Sequence, residues 1–246
     1  MRILVVDAGN TRIKWGLHES EGWKSRGSAG RSEYRELESA WSVIPDPDLI
    51  MVSNVAGDHA RALLDGAFRR WDAPRRWIAS RPYQAGVRNG YAAPSQLGCD
   101  RWAALVAARH LADGAPCLVI GAGTALTVDA LAHDGRFLGG LIVPGPGLMR
   151  QALDQGTAGL GAEPGEFQEF PVSTANAIES GTWQALGGAV DRMGELLRRR
   201  ERREPRCVLS GGAAPALRPH LRLSVEVVDN LVLEGLVIMA GESDPQ

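Results

Sequence analysis

Lysine is almost missing from this chain, which has only Lys14 and Lys24 among its 27 basic residues. Cysteine is also scarce. Cys99, Cys117 and Cys207 lie far apart, with neither a metal-ligand spacing nor the even count typical of a disulfide framework. Thiols of this kind are typical of a reducing compartment, so we expect a cytoplasmic protein.

The chain also lacks long hydrophobic runs. Its N-terminal apolar run, 3–6, ends at Asp7 and is shorter than the apolar part of a signal peptide. No segment approaches the ~20 apolar residues of a membrane span. The net charge of −2 does not favour nucleic acid, which needs a basic face, and the arginine-rich run 198–204 suits a solvated helix end. We therefore expect neither a membrane nor a nucleic-acid partner.

Two stretches of the chain share one layout. VVDAGNTRIKWG (5–16) and VIGAGTALTVDA (119–130) each join a buried apolar strand to an alternating strand through a glycine turn. The two are offset by 114 residues, which indicates a duplicated lobe. We predict an α/β protein with lobes at residues 1–114 and 115–246 and a ligand cleft between them.

The first turn carries groups suited to a phosphate. Gly9 lets backbone N–H groups approach an anion, while Asn10 and Thr11 add side-chain donors. Lys14 follows as a compact cation that can reach a terminal phosphate, and Asp7 suits a hydrated Mg²⁺. The plainer alternative is a hairpin turn with a surface lysine.

Other segments extend this interpretation. The second turn, Gly123-Thr124, is suited to phosphates from the other lobe, and the SGG segment 210–212 to a nucleoside lying on bare backbone. A helix is predicted from a cap at Ser95 towards Gly114. Ser32 is predicted to cap an earlier helix.

Together these features resemble the sugar kinase, Hsp70 and actin superfamily, whose two lobes have a ribonuclease H-like fold and each supply a phosphate loop. DAGNTRIKWG, GVRNGY, LGCDRW, GTALTVDAL and STANAIESG further resemble type III pantothenate kinases, in order and over nearly the whole chain. The N-G-Y and G-x-D-R elements are the specific part of this resemblance.

The resemblance implies phosphorylation of pantothenate by the magnesium complex of ATP, the first step towards coenzyme A. It implies that the ATP phosphates are bound by Asp7, Ala8, Gly9, Asn10, Thr11, Arg12, Ile13, Lys14 and Thr124. It implies that pantothenate is bound by Tyr91, Gly98, Cys99, Asp100, Arg101 and Thr174, with Asp100 as the general base. It also implies a homodimer with substrate sites near the dimer interface.

Each assignment has a structural alternative. Asp100 could simply stabilise the start of its own helix, and Arg101 could serve a salt bridge. Tyr91 could be a capped core aromatic, and Thr174 could cap the following helix. Asp129, one residue from the position that matches Lys14, could point into the cleft or brace a strand, and both possibilities stay open.

One residue departs from the family pattern. Members usually have Asp-x-Gly-Thr at the second turn, and that aspartate helps to hold K⁺ or NH₄⁺. Gly121 occupies its position here and offers no carboxylate. We therefore assign no metal ligand and leave the monovalent-cation requirement open. Two alternative functions stay open: a regulatory factor of the same fold, or another small-molecule kinase of the superfamily, such as a sugar or acetate kinase.

Overall fold

The computed structural model describes residues 1–30, 33–160 and 163–242, so the predicted cap Ser32 lies outside the described residues. The chain divides into two compact units. The first comprises Met1–Leu111 and Asn230–Gln246, and the second comprises Ala112–Asp229.

The first unit is built around a mixed sheet whose central strand is the apolar N-terminal run. Its elements are β1 (Ile3–Ala8), β2 (Arg12–Glu19), β3 (Gly22–Gly30), α1 (Tyr34–Trp41), β4 (Leu49–Asn54), α2 (Asp58–Ala67), β5 (Arg75–Trp77), β6 (Tyr83–Gln84), β7 (Val87–Arg88) and α3 (Cys99–Ala112).

The second unit repeats this plan. Its elements are β8 (Cys117–Ala122), β9 (Ala125–Leu131), β10 (Phe137–Pro144), α4 (Pro146–Gly156), α5 (Thr174–Glu201), β11 (Arg206–Ser210), α6 (Ala214–Leu217) and β12 (Glu226–Val227). The connection between its third and fourth strands, which contains α4 and α5, is much longer than that of the first unit. The last helix of the chain is α7 (Leu231–Ala240).

The two main sheets have the same strand order, which confirms the predicted duplication. The first sheet runs β3-β2-β1-β4-β5 and the second β10-β9-β8-β11-β12. In each, the central strand pairs antiparallel with the strand that follows its glycine turn and parallel with the strand on its other side. The carboxyl ends of the two parallel strands therefore lie side by side at one end of the strands in each sheet, beside that turn.

Helix α7 places the C-terminal segment in the first unit, whereas the sequence division assigned it to the second lobe. The helix is apolar, with Leu233, Leu236 and Met239 buried, and it packs against β1 and β4. A side chain on Gly235 would collide with the carbonyl of Ala103 in α3, so α7 and α3 touch backbone to backbone. An apolar helix surface must be buried against another element, and the sheet of the first unit provides that face.

Each unit has its own hydrophobic core. In the first, Trp41 stacks on Phe68 with ring centroids 5.5 Å apart, next to fully buried residues of β1 and β4. In the second, Leu186 and Val190 of α5 pack with Leu209 of β11. Among the described residues, no helix combines the length and apolar character that a membrane crossing requires.

Helix α3 begins later than predicted. Residues 94–96 form a single 3₁₀ turn, and Leu97 then takes an extended backbone conformation with its side chain buried. The first helical bond runs from the Trp102 N–H to the Gly98 carbonyl, at 3.0 Å. The predicted start at Ser95 is therefore wrong, because burial of Leu97 interrupts the helix at this point.

Candidate active site

Asp7 lies near the end of β1 with a polar neighbour on each side. The antiparallel register places Lys14 of β2 opposite it, and the parallel register places Ser53 of β4 opposite it on the other side. Residues paired across strands project from the same face of a sheet. A carboxylate, an ammonium and a hydroxyl therefore form one row beside the first glycine turn.

The Asp7 carboxylate lies in a poorly solvated position. The residue is half-buried, and its Oδ1 atom is buried with no hydrogen-bond partner in the described part of the chain. Burial and, to a smaller extent, the charge of Asp100 raise the pKa of Asp7 to about 7, against the opposing effects of a hydrogen bond with Ser53 and the charge of Lys14. An unpartnered buried carboxylate oxygen is suited to binding a cation or its hydration water.

Asp100 lies in the first turn of α3, close enough to Asp7 for their charges to interact. Its Oδ1 accepts a hydrogen bond from the Arg101 backbone N–H at 2.8 Å. Burial raises its pKa, and this backbone hydrogen bond and the Arg101 guanidinium act in the opposite direction. A Cβ atom on Gly98 would lie 2.6 Å from the same Oδ1, so any other residue there would push the carboxylate out of this position.

The side chain of Cys99 anchors this turn to the sheet. Its sulfur lies 3.5 Å from Ser53 Oγ and 3.5 Å from the Asn54 carbonyl, at the end of β4. Burial raises the pKa of the thiol, which keeps it protonated. Cys99 thus fixes Asp100 relative to Asp7, through contacts that the sequence motif does not reveal.

Tyr91 and Arg101 form a second polar pair. Arg101 is 7% exposed, and its Nη1 donates to the Tyr91 hydroxyl at 3.2 Å, with the guanidinium 5.9 Å from the ring centroid. Tyr91 is half-buried rather than a core aromatic. A guanidinium and a phenol side by side offer several donors to a carboxylate or phosphate.

In the second unit, three glycine segments lie at the corresponding end of the strands: the second turn Gly123-Thr124, Gly145 and the SGG segment 210–212. The Gly145 N–H donates to the Thr124 carbonyl at 2.9 Å, and Thr124 itself is exposed. A side chain on Gly145 would collide with the second turn, and one on Gly211 would collide with the Ala122 carbonyl. The SGG segment therefore lies against the end of β8, next to the second turn.

The residue that corresponds to Lys14 in the second unit is Thr127. Thr127 pairs with Gly121 across β8 and β9 as Lys14 pairs with Asp7. The second turn is one residue shorter than the first, so Asp129 lies two residues beyond this position, where it pairs with Val119 and is 2% exposed.

Gly121 provides no side-chain ligand for a cation. A Cβ atom there would lie 2.6 Å from Thr127 Oγ1, so the threonine hydroxyl fills the space where an aspartate side chain would begin. Among the described residues, no group of three or more His, Cys, Asp or Glu is placed to hold a metal ion. The residues present do not fit the carboxylate-held K⁺ or NH₄⁺ of the family pattern.

Thr174 is the first residue of α5 and is exposed. The cap of this helix is Ser173, whose hydroxyl accepts the Asn176 N–H at 3.3 Å. The alternative in which Thr174 caps the helix is therefore wrong, and its role in substrate binding stays a prediction.

Two residues of the site were missed by sequence reasoning. Ser53 is a fully buried serine in the otherwise apolar strand LIMVSN, and that exception was a usable signal. Asn89 accepts the Tyr91 N–H at 3.0 Å. Only its place in the N-G-Y element marked it.

Solved structures with a similar fold support the architecture. A Sinorhizobium meliloti protein described as a 2-dehydro-3-deoxygalactonokinase aligns with a TM-score of 0.59 at 16% identity, over 97% of this chain and 98% of its own. A Campylobacter jejuni protein described as a Baf family transcriptional activator aligns with a TM-score of 0.57 at 18% identity, over 96% of each chain. At these identities the likeness concerns the fold alone, and it confirms the predicted actin-type α/β class.

Sequence relatives are much closer. A type III pantothenate kinase of Nitrosospira multiformis is 47% identical over 98% of this chain and 92% of its own length. One from Polaromonas sp. is 41% identical over 98% of this chain and 98% of its own length. A family model described as type III pantothenate kinase matches residues 3–195. A match of this length, with identities above 40% from end to end, shows that the chain belongs to the type III pantothenate kinase family.

Proposed function

We propose that this protein transfers the γ-phosphoryl group of ATP to the primary hydroxyl of pantothenate, giving 4′-phosphopantothenate for coenzyme A synthesis. The observation that carries the proposal is the arrangement around Asp7. Two half-buried carboxylates, Asp7 and Asp100, lie within electrostatic reach of each other, and Lys14 stands next to the first of them. Phosphoryl transfer needs such positioned charges more than it needs covalent chemistry.

The phosphate-binding part of the proposal rests on the first turn. Lys14 is half-buried and stands beside the turn, where its ammonium can donate to the terminal phosphate. The exposed Asn10 and Thr11 add donors, and Thr124 of the second unit is proposed to join them. The buried Oδ1 of Asp7 fits a cation. The Mg²⁺ that accompanies ATP would neutralise charge between the phosphates.

The acceptor part rests on the start of α3. Asp100 is proposed to orient the pantothenate hydroxyl and to accept its proton as the oxygen bonds to the γ-phosphorus and ADP departs. A carboxylate whose pKa is raised by burial is a better proton acceptor once it is ionised. Arg101 and Tyr91 are proposed to hold the carboxylate at the other end of the substrate.

We further propose that turnover does not require a monovalent cation, because Gly121 carries no carboxylate to hold one.

A homodimer is also proposed. Helix α4 has no buried residue among those described, and its Leu148 and Leu153 are exposed. On the neighbouring edge strand β10, Ile142 is 62% exposed. Apolar side chains clustered on one unit are typical of a protein–protein interface. The molar mass from light scattering tests this, and a monomer at micromolar concentration would contradict it.

A cytoplasmic location completes the proposal. All three cysteines are free thiols, as expected in a reducing compartment.

A coupled assay of ADP release, run with and without pantothenate, tests the function. We expect turnover only with pantothenate, and no stimulation by glucose or acetate as acceptor. Asp100→Asn should lower kcat by about 10²–10⁴-fold without loss of thermal stability, whereas the exposed Asp72→Asn should leave kcat unchanged. Turnover that ignores pantothenate would reject the substrate, and near-normal turnover by a folded Asp100→Asn variant would reject the base.

The regulatory alternative is not favoured. Relatives at 41–47% identity carry the kinase name, and Asp7, Lys14, Asp100 and Arg101 are all present. Wild-type protein without kinase activity under any of these conditions would restore that alternative.

A further inference from the structure

The hairpin that precedes Tyr91 is too small to be stable alone. Strands β6 and β7 have two residues each and are joined through Ala85 and Gly86, with φ of 47° and 77°. Positive φ at both central residues is the type I′ geometry favoured in two-residue hairpins. An isolated hairpin is only marginally stable in water, so bonds from elsewhere must hold this one in place.

Two such bonds come from the helices of the first unit. The indole N–H of the fully buried Trp102, in α3, donates to Gln84 Oε1 at 3.0 Å. The carboxylate of Glu242, just after α7, accepts the Ala85 N–H at 2.8 Å. These bonds fix the hairpin but end several residues before Tyr91.

The remaining link is made by Asn89. Its backbone N–H donates to the Pro82 carbonyl at 2.9 Å, which closes the base of the hairpin. Its side-chain Oδ1 accepts the Tyr91 N–H at 3.0 Å, and its Nδ2 donates to the Pro94 carbonyl at 3.3 Å. One amide thus uses its acceptor on Tyr91 itself and a donor on Pro94, three residues further along the chain.

The oxygen and the NH₂ group of this amide cannot exchange places without loss of both hydrogen bonds. Rotating the Asn89 amide by 180° would set an NH₂ group against the Tyr91 N–H and an oxygen against the Pro94 carbonyl. The two bonds need an acceptor and a donor on two separate atoms at this reach, which the asparagine amide provides and a single hydroxyl group does not. The backbone of residues 89–94 is therefore held in one conformation, from which the Tyr91 hydroxyl reaches Arg101 Nη1.

We propose that Asn89 is a positioning residue for the acceptor substrate. It acts through Tyr91, whose phenol it holds beside the Arg101 guanidinium so that the two donors converge on the carboxylate of pantothenate. The proposal rests on the proposed function, since it assigns Tyr91 and Arg101 to pantothenate. It predicts a defect confined to that substrate, because Asp7 and Lys14 lie on other elements.

The test is steady-state kinetics of Asn89→Ala and Asn89→Asp, with Tyr83→Ser as the matched control. Tyr83 lies on the same hairpin and is 62% exposed. We expect Asn89→Ala to raise the KM for pantothenate by about tenfold, the equivalent of one lost hydrogen bond, with the KM for ATP changed less than twofold. Asn89→Asp keeps the acceptor for the Tyr91 N–H but loses the donor to the Pro94 carbonyl. Its KM for pantothenate should therefore lie between those of the wild type and Asn89→Ala. Tyr83→Ser should match the wild type.

Calorimetric titration of each variant with pantothenate alone supplies a readout without turnover, and the Kd should follow the same order. Should Asn89→Ala fail to fold, Asn89→Asp carries the comparison. A pantothenate KM and Kd within twofold of wild type in a folded Asn89 variant would overturn the inference, as would an equal rise in both KM values. If the wild type itself neither binds nor phosphorylates pantothenate, the proposed function fails instead.

Discussion

Replacing Asp7 with asparagine should make the protein more stable and, at the same time, a poor kinase. Burial and the nearby Asp100 raise the pKa of Asp7 from 3.8 to about 7. Between these two values the unfolded chain releases its proton and the folded chain keeps it, so rising pH favours unfolding. The stabilisation conferred by the protonated Asp7 is complete below pH 3.8 and is lost by the time the pH has risen through 7.

The size of this loss follows from the same values. A tenfold change in proton affinity corresponds to about 1.4 kcal/mol, so the step from 3.8 to about 7 amounts to roughly 4 kcal/mol. Somewhat under 2 kcal/mol has been lost at pH 5, and the full amount at pH 8. Because Asp7→Asn cannot ionise, its advantage in the free energy of unfolding should grow by about 2–3 kcal/mol between pH 5 and pH 8.

Urea unfolding of both proteins at pH 5 and pH 8 measures this difference. Asp72→Asn, an exposed carboxylate removed in the same way, should change the free energy of unfolding by less than about 0.5 kcal/mol at either pH. A pH-independent difference, or an Asp7→Asn variant less stable than wild type at pH 8, would refute the reasoning from burial. Gain of stability with loss of activity is expected where a site residue is held at an energetic disadvantage.

Three further outcomes are expected. Lys14→Ala should raise the KM for ATP by at least about tenfold, as removal of a charged hydrogen bond does, while Lys24→Ala should leave the KM for ATP unchanged. Equal ATP kinetics in the two variants would contradict the assignment of Lys14 to the phosphate site. Exchanging K⁺ for Na⁺ in the assay should alter kcat less than twofold, because Gly121 provides no carboxylate, and strict K⁺ dependence would contradict this. Gly235→Ala should lower the free energy of unfolding by about 1–3 kcal/mol through overpacking. Gly66→Ala, which has open space around it in α2, should raise the free energy of unfolding by about 0.5–1 kcal/mol in the same denaturation assay. A destabilised Gly66→Ala or an unaffected Gly235→Ala would show that packing does not decide the effect of a side chain at these two positions.

The chain sequence by itself determined the local units of this protein. A short apolar run, a glycine turn and an alternating strand follow from residue periodicity, and the same pattern 114 residues later fixed the duplication. The G-x-D-R and N-G-Y elements also indicated, through their resemblance to the family, the segments that we propose bind the acceptor, because each motif lies in a few consecutive residues.

Only the tertiary structure decided which distant residues meet. Ser53 stands beside Asp7 because of the parallel register of two strands that are 46 residues apart, and no periodicity within either strand encodes that register. Thr127, rather than a residue nearer Asp129, corresponds to Lys14 because one turn is a residue shorter. Helix α7 joins the first unit because its apolar surface is buried there, which its place in the chain could not indicate. Sequence patterns report the period of side chains along one element, whereas register and packing depend on the partner that each element finds.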